Sequence, residues 1–156
     1  MKGMSTIVKT IANISFPLIT IYGLYIIAHG HLTPGGGFQG GAIVASGLAL
    51  LIVSRGTEWI ETKIKEHELS VLESLGAIGF IGLAFLGIVM GGVFFSNFLV
   101  DTSMLFGNIP ANGAADINTG GVIPLMNFAV GLKVIAGLFA IILVMAIATN
   151  KKEGCL

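Results

Sequence analysis

The stretch His29-Gly30-His31-Leu32-Thr33-Pro34-Gly35-Gly36-Gly37-Phe38-Gln39-Gly40-Gly41 joins two apolar segments, about Ile7 to Ala28 and about Phe38 to Val53, and six of its thirteen residues are glycine. A link this short keeps both of its ends close to a bilayer. Lipid offers no hydrogen-bond partners, so non-helical backbone near the membrane is tolerated only where it is buried in protein or lines a hydrated cavity. The stretch therefore predicts a polytopic membrane protein whose function lies near this turn.

Composition agrees. The 156 residues are 54% hydrophobic and 10% charged, with a mean hydropathy of +0.95, outside the range of soluble domains. Net charge is zero and no charged tail exists, which removes the electrostatic basis for nucleic-acid binding. The first apolar stretch is longer than a signal h-region and ends in no small-residue cleavage pattern, so it is expected to remain as a helix. The single cysteine, Cys155, has no second cysteine with which to form a disulfide, hold zinc or bind an iron–sulfur cluster. No redox cofactor is expected in this chain.

About 20 apolar residues span a bilayer, and four segments qualify: roughly residues 7–28, 38–53, 72–98 and 122–149. The fold expected is all-α, one domain over residues 1–156 with four transmembrane helices. The second segment is short and reaches full length only if the glycine turn enters the membrane zone, the bilayer thins or partner helices cover its ends. Lys2 and Lys9 precede the first helix, Arg55, Lys63 and Lys65 lie between the second and third, and Lys151 and Lys152 follow the fourth. All seven fall on one side, so the positive-inside rule predicts both termini in the cytoplasm of a multi-pass cell-membrane protein.

Between Arg55 and Glu73, the acids Glu58, Glu61, Glu66 and Glu68 interleave with bases and read as a solvated surface. On the other side, the turn-rich stretch Asn108 to Asp116, whose only charge besides Asp101 is Asp116, is expected to pack on a neighbour. Gly76, Gly79, Gly82, Gly87 and Gly91 line the third helix, Gly41, Ala45 and Ala49 the second, and Ala136 and Ala140 the fourth. Small residues at these spacings let helix backbones approach closely, and there are more such faces than four helices need among themselves. A subunit packed among partner helices is expected.

Ionisable groups inside the spans supply the candidate site. Lys133 lies nine residues after Pro124, roughly 13 to 14 Å into the fourth helix, near the midplane. A central lysine costs on the order of 2.5 to 3.5 kcal/mol on insertion scales and should face a carboxylate, carbonyls or water. It reads either as a proton-relay or charge-coupling residue or as half of a static ion pair whose partner comes from another chain. Asn127 lies about 120 degrees from it around the helix. Glu73 reads as a first-turn carboxylate of the third helix or as the mouth of a proton path. His29 and His31 flank Gly30 and could titrate near neutral pH or bond local carbonyls; as a metal site the pair is incomplete.

Gly35, Gly37 and Gly40 match G-x-G-x-x-G, and Glu58 follows at about the distance of a ribose-binding acid. A dinucleotide fingerprint needs a preceding strand inside a soluble βαβ unit, and here a membrane helix precedes. What remains is physical. Pro34 is expected to end the first helix, and Gly35, Gly36, Gly37, Gly40 and Gly41 to permit positive φ and close backbone approach. Phe38 would anchor the turn in an apolar pocket and Gln39 bond carbonyls or a hydrated ion; a tight turn without ion contact stands beside this.

At these residues the chain resembles the MnhB or MrpB type of subunit in the multisubunit Mrp or Mnh type sodium/proton antiporters. The pattern Gly-His-x-Thr-Pro-Gly-Gly-Gly-Phe followed by two more glycines runs from Gly30 to Gly41, and the four-helix layout extends the resemblance over nearly the whole chain. The resemblance implies a small non-catalytic subunit beside larger antiporter-like and small Mrp-type subunits, with Na+ and H+ as the transported ions. The same subunit type occurs in membrane-bound hydrogenases and sulfur-reducing complexes, where redox cofactors belong to partner subunits. The run Asn127-Phe128-Ala129-Val130-Gly131-Leu132-Lys133-Val134 resembles the respiratory form, because a lysine stands where the MnhB-type subunit of stand-alone antiporters is more often apolar. A redox-coupled host is therefore expected ahead of a stand-alone antiporter, with a purely structural scaffold as the third reading.

Overall fold

A computed structural model describes residues 4–101 and 117–153. Helix α1 (Thr6–Ala28) leads into α2 (Gly37–Arg55), a short α3 (Thr57–Glu61), α4 (Glu66–Gly91), the single turn α5 (Phe98–Asp101), a 3-10 turn (Ile117–Thr119) and α6 (Ile123–Glu153). Among the described residues, four helices are long and apolar enough to cross a membrane: Thr6–Ala28, Gly37–Arg55, Glu66–Gly91 and Ile123–Asn150. Lys2, Cys155 and the stretch from Asn108 to Asp116 lie outside the described residues, as do the side chains of Asp101, Lys151 and Lys152.

The helices form a layer rather than a closed square. Helix α2 lies between α1 and α6, and α4 packs on the far side of α6. Neighbouring backbones meet through glycine. A Cβ on Gly40 would fall 2.6 Å from the carbonyl oxygen of Gly23, and one on Gly41 2.9 Å from that of Gly131. Without a hydrophobic drive between helices in lipid, such close approach is what holds a bundle together. Near the Arg55 end the layer closes on a core of Ala12, Leu51, Ile52, Ile60, Leu69, Phe139 and Leu143. Thr57 and Ile60 bury one face of α3 there, so this connection is not wholly a solvated surface.

Several helix ends differ from expectation. Helix α2 has 19 residues, about 28 Å, because it takes in Gly37 before the expected start and Ser54 and Arg55 after the expected end. No thinning of the bilayer is needed to span it. Helix α4 starts six residues earlier than expected, with Glu66 and Glu68 in its first turn where the macrodipole favours acids. It stops at Gly91 because Gly92 takes the left-handed conformation, φ 74. The chain then folds back: a Cβ on Gly87 would lie 2.7 Å from the Ser96 amide nitrogen, and the Phe95 ring lies tilted against that of Phe80 at 5.7 Å. Gly87 and Gly91 therefore receive the chain's own return segment, not another helix. Helix α6 runs to Glu153, past the expected end.

The segment before α6 is tied back to this return. The amide of Val122 donates to Oδ1 of Asn97 at 2.7 Å, and Nδ2 of Asn97 donates to the Gly120 carbonyl at 3.4 Å. Gly121 has φ 59, and a Cβ there would collide with the Asn97 amide. Gly121→Ala is expected to lower stability by about 1 to 3 kcal/mol through left-handed strain and overpacking. Thermal melting of the purified chain in detergent measures this, and an unshifted midpoint would contradict it.

Candidate functional site

The glycine stretch does not use glycine as expected. Among its residues none has a left-handed φ, and Gly36 is simply extended at φ 176. The demand is for space. A Cβ on Gly30 would sit 2.6 Å from Cα of Gly36 and 2.7 Å from Nδ2 of Asn127. One on Gly37 would collide with the Asn127 carbonyl oxygen and lie 2.9 Å from the Gly131 amide nitrogen. A Cβ on Gly35 would lie 3.2 Å from the Ile26 side chain. The stretch is thus a wedge that lets α2 enter between α1 and α6.

Other residues of the stretch are also placed differently. Helix α1 ends at Ala28 with His29 as its cap; the His29 amide donates to the Tyr25 carbonyl and the Gly30 amide to that of Ile27, so Pro34 lies beyond the helix end and does not cause it. Phe38 is 61% exposed in this chain and occupies no pocket of its own. Gln39 is exposed too, with Oε1 3.7 Å from where a Gly36 Cβ would stand. His29 stacks on Tyr25 at 4.4 Å, whereas His31 packs against Gly120 on the segment before α6. Among the described residues no group of three His, Cys, Asp or Glu could hold a metal.

The residue that sequence reasoning missed here is Asn127. Its carboxamide covers Gly30 and Gly36, and Nδ2 is buried without a hydrogen-bond partner. Only its chain position near the start of α6, level with the glycine wedge, hinted at the contact.

Lys133 meets α4 through its backbone and Cβ, and the residue is otherwise exposed in this chain. The two backbones meet where a Cβ on Gly76 would lie 2.8 Å from the Lys133 amide nitrogen and 2.9 Å from its Cβ. Beside this crossing a cavity of about 250 Å3 is lined by Gly76, Ala77, Phe80, Ile81, Val130 and Lys133. One turn along α6, the Glu73 carboxylate lies 3.5 Å from where a Cβ on Gly137 would stand. Glu73 is therefore seven residues into α4, half-buried and outside its first turn, which overturns the capping reading.

The depths fit together. Glu73 lies about 10 Å from the Arg55 end of α4 and Lys133 about 15 Å from the opposite end of α6, so in a 30 Å core they stand about one turn apart. A carboxylate of the same chain thus does reach the neighbourhood of Lys133. Among the described residues neither group forms an ion pair. Two unpaired ionisable groups on one seam, next to a cavity, can respond to each other's charge, because gain or loss of a cation at one changes the field at the other.

The family description "Domain related to MnhB subunit of Na+/H+ antiporter" matches residues 7–140. The chain belongs to this MnhB-related family. An uncharacterized protein of Methanocaldococcus jannaschii is 36% identical over 144 residues, 88% of this MnhB-related chain and 52% of that protein. A Na(+)/H(+) antiporter subunit of Bacillus subtilis is 27% identical over 131 residues, 80% of this chain and 82% of its own length. Among solved structures, one chain of the membrane-bound sulfane sulfur reductase, an archaeal respiratory membrane complex, superposes with a TM-score of 0.68 at 28% identity. That match covers 91% of the MnhB-related chain and 58% of the other. The chain thus spans about half the length of the Methanocaldococcus jannaschii relative. The Bacillus subtilis protein is an antiporter subunit and the archaeal chain part of a respiratory membrane complex, and this chain is an MnhB-related multi-pass membrane protein.

Proposed function

We propose that this chain is a non-catalytic subunit of an Mrp-type module that exchanges Na+ for H+, joined to a redox module of the sulfur-reductase or hydrogenase kind. The observation that carries this reading is the likeness to the respiratory complex along 91% of the chain. The Glu73–Lys133 seam supports a part in charge coupling. Redox cofactors reside in partner subunits. The positive-inside rule puts the end bearing Lys9, Arg55, Lys63 and Lys65 in the cytoplasm, with both termini.

A second reading, the MnhB-type subunit of a stand-alone antiporter, is favoured by one fact: the Bacillus subtilis protein matches this chain in length, with 82% of it covered, better than the respiratory chain does. Mass spectrometry of everything that co-purifies with the chain in mild detergent separates the two. Hydrogenase-like or sulfur-reductase-like subunits are expected. Antiporter subunits alone would refute the redox host and leave a gradient-driven exchanger.

A further inference from the structure

At the end of the bundle where α1 starts and α2 finishes, two side chains hold one guanidinium. Nη2 of Arg55 donates to Oδ1 of Asn13 at 2.9 Å, and Cζ of Arg55 lies 4.3 Å from the centroid of the Trp59 ring. Lys9 stands one turn before Asn13 on α1, close enough for neighbouring side chains to share a ligand. The amide of Met4 donates to the Ser54 carbonyl at 3.0 Å, which pins the start of α1 to the end of α2.

Arginine offers five N–H donors, and Asn13 is the only hydrogen-bond acceptor of Arg55 among the described residues; Nε is buried without a partner. Among the described residues neither Arg55 nor Lys9 forms an ion pair. Glu58, three residues beyond Arg55, is exposed and not bonded to it. Two cations thus share one edge of the bundle with no carboxylate paired to either among the described residues. Arg55 is also the last residue of a membrane span, at the depth of lipid headgroups.

We propose that Lys9, Asn13, Arg55 and Trp59 form a binding site for the phosphodiester of an anionic phospholipid. The guanidinium directs its remaining N–H groups at phosphate oxygens, and Lys9 adds the second charge. Asn13 and the Trp59 ring hold the guanidinium in place, one by a hydrogen bond and the other by stacking. Tryptophan is enriched at headgroup level, and Trp59 is 37% exposed. The lysines and arginine flanking the spans gather at this end, where the cytoplasmic leaflet supplies anionic lipid. A lipid suits this edge better than a buried protein carboxylate. The site depends only on the chain crossing a membrane, not on the ion or host proposed above.

Trp59 is the single tryptophan of the chain and reports on the site directly. The purified full chain is reconstituted in phosphatidylcholine vesicles carrying a fixed minor fraction of dibrominated phosphatidylglycerol or dibrominated phosphatidylcholine, whose bromines quench nearby indole fluorescence. Stronger quenching by the brominated phosphatidylglycerol is expected. That preference should fall about fivefold in Lys9→Gln, the effect of one surface charge near anionic lipid, and further in Arg55→Gln. Lys9→Gln leaves the Arg55–Asn13 bond and the Trp59 stack untouched, so its loss of preference cannot be misfolding. Equal quenching by the two lipids, or a preference that survives both substitutions, overturns the proposal. Inorganic phosphate that shifts Trp59 emission in pure phosphatidylcholine vesicles as strongly as phosphatidylglycerol does would assign the site to a free anion and overturn it too. In the assembled complex, both variants should retain less anionic phospholipid by mass spectrometry; equal retention would assign the cations to a partner carboxylate and likewise overturn it.

Discussion

Gly37→Leu is expected to prevent the chain from assembling. Even the first added carbon collides with the Asn127 carbonyl oxygen and approaches the Gly131 amide nitrogen to 2.9 Å. Both are backbone atoms of α6, so no rotamer change relieves the clash and the helices themselves must separate. Overpacking a tight site costs about 1 to 3 kcal/mol and sometimes more; here the leucine branch follows the Cβ into the same gap between α2 and α6. Gly37→Ala should show the lower end of that range as a depressed melting temperature in detergent. The control is Gly82→Ala on α4, where nothing lies within 4 Å of an added Cβ. It should leave melting unchanged or raise it, since alanine is the better helix former. Equal behaviour of Gly37→Ala and Gly82→Ala would refute the wedge.

The four spans were legible in the sequence because hydrophobicity over about 20 residues is a property of each segment alone. The helix ends were less so. Gly37, Gly40 and Gly41 read as turn residues by composition, yet all three are helical, and they are glycine because α1 and α6 leave room for no side chain at those positions. The same blindness to tertiary space assigned Gly87 and Gly91 to a helix partner, when the return segment around Ser96 fills them. Lys133 stood out as a charge at mid-membrane depth. Its relation to Glu73 did not, since α4 begins at Glu66 and carries Glu73 inward to Gly137, a register that no spacing within one segment encodes.

That relation leads to the second large effect. Lys133→Met keeps the length of the side chain and the packing against Gly76 while removing the charge. If Lys133 couples to ion movement, Na+-dependent H+ flux should drop by about tenfold or more, the change that about 1.4 kcal/mol in a barrier produces. Glu73→Gln should lower the same flux, and the double variant should fall little further than either single one, because both act through one seam. A structural ion bridge to a partner chain would show differently: Lys133→Met would then dissociate the complex during size-exclusion chromatography, and flux would be lost with it.

The most direct measurement is therefore Na+-dependent H+ flux in proteoliposomes containing the complete complex, wild type against Lys133→Met, with subunit content checked in the same preparation. The seam account expects an intact complex in which flux collapses. An intact complex with undiminished flux would contradict it and leave the chain a scaffold with no residue on the ion path.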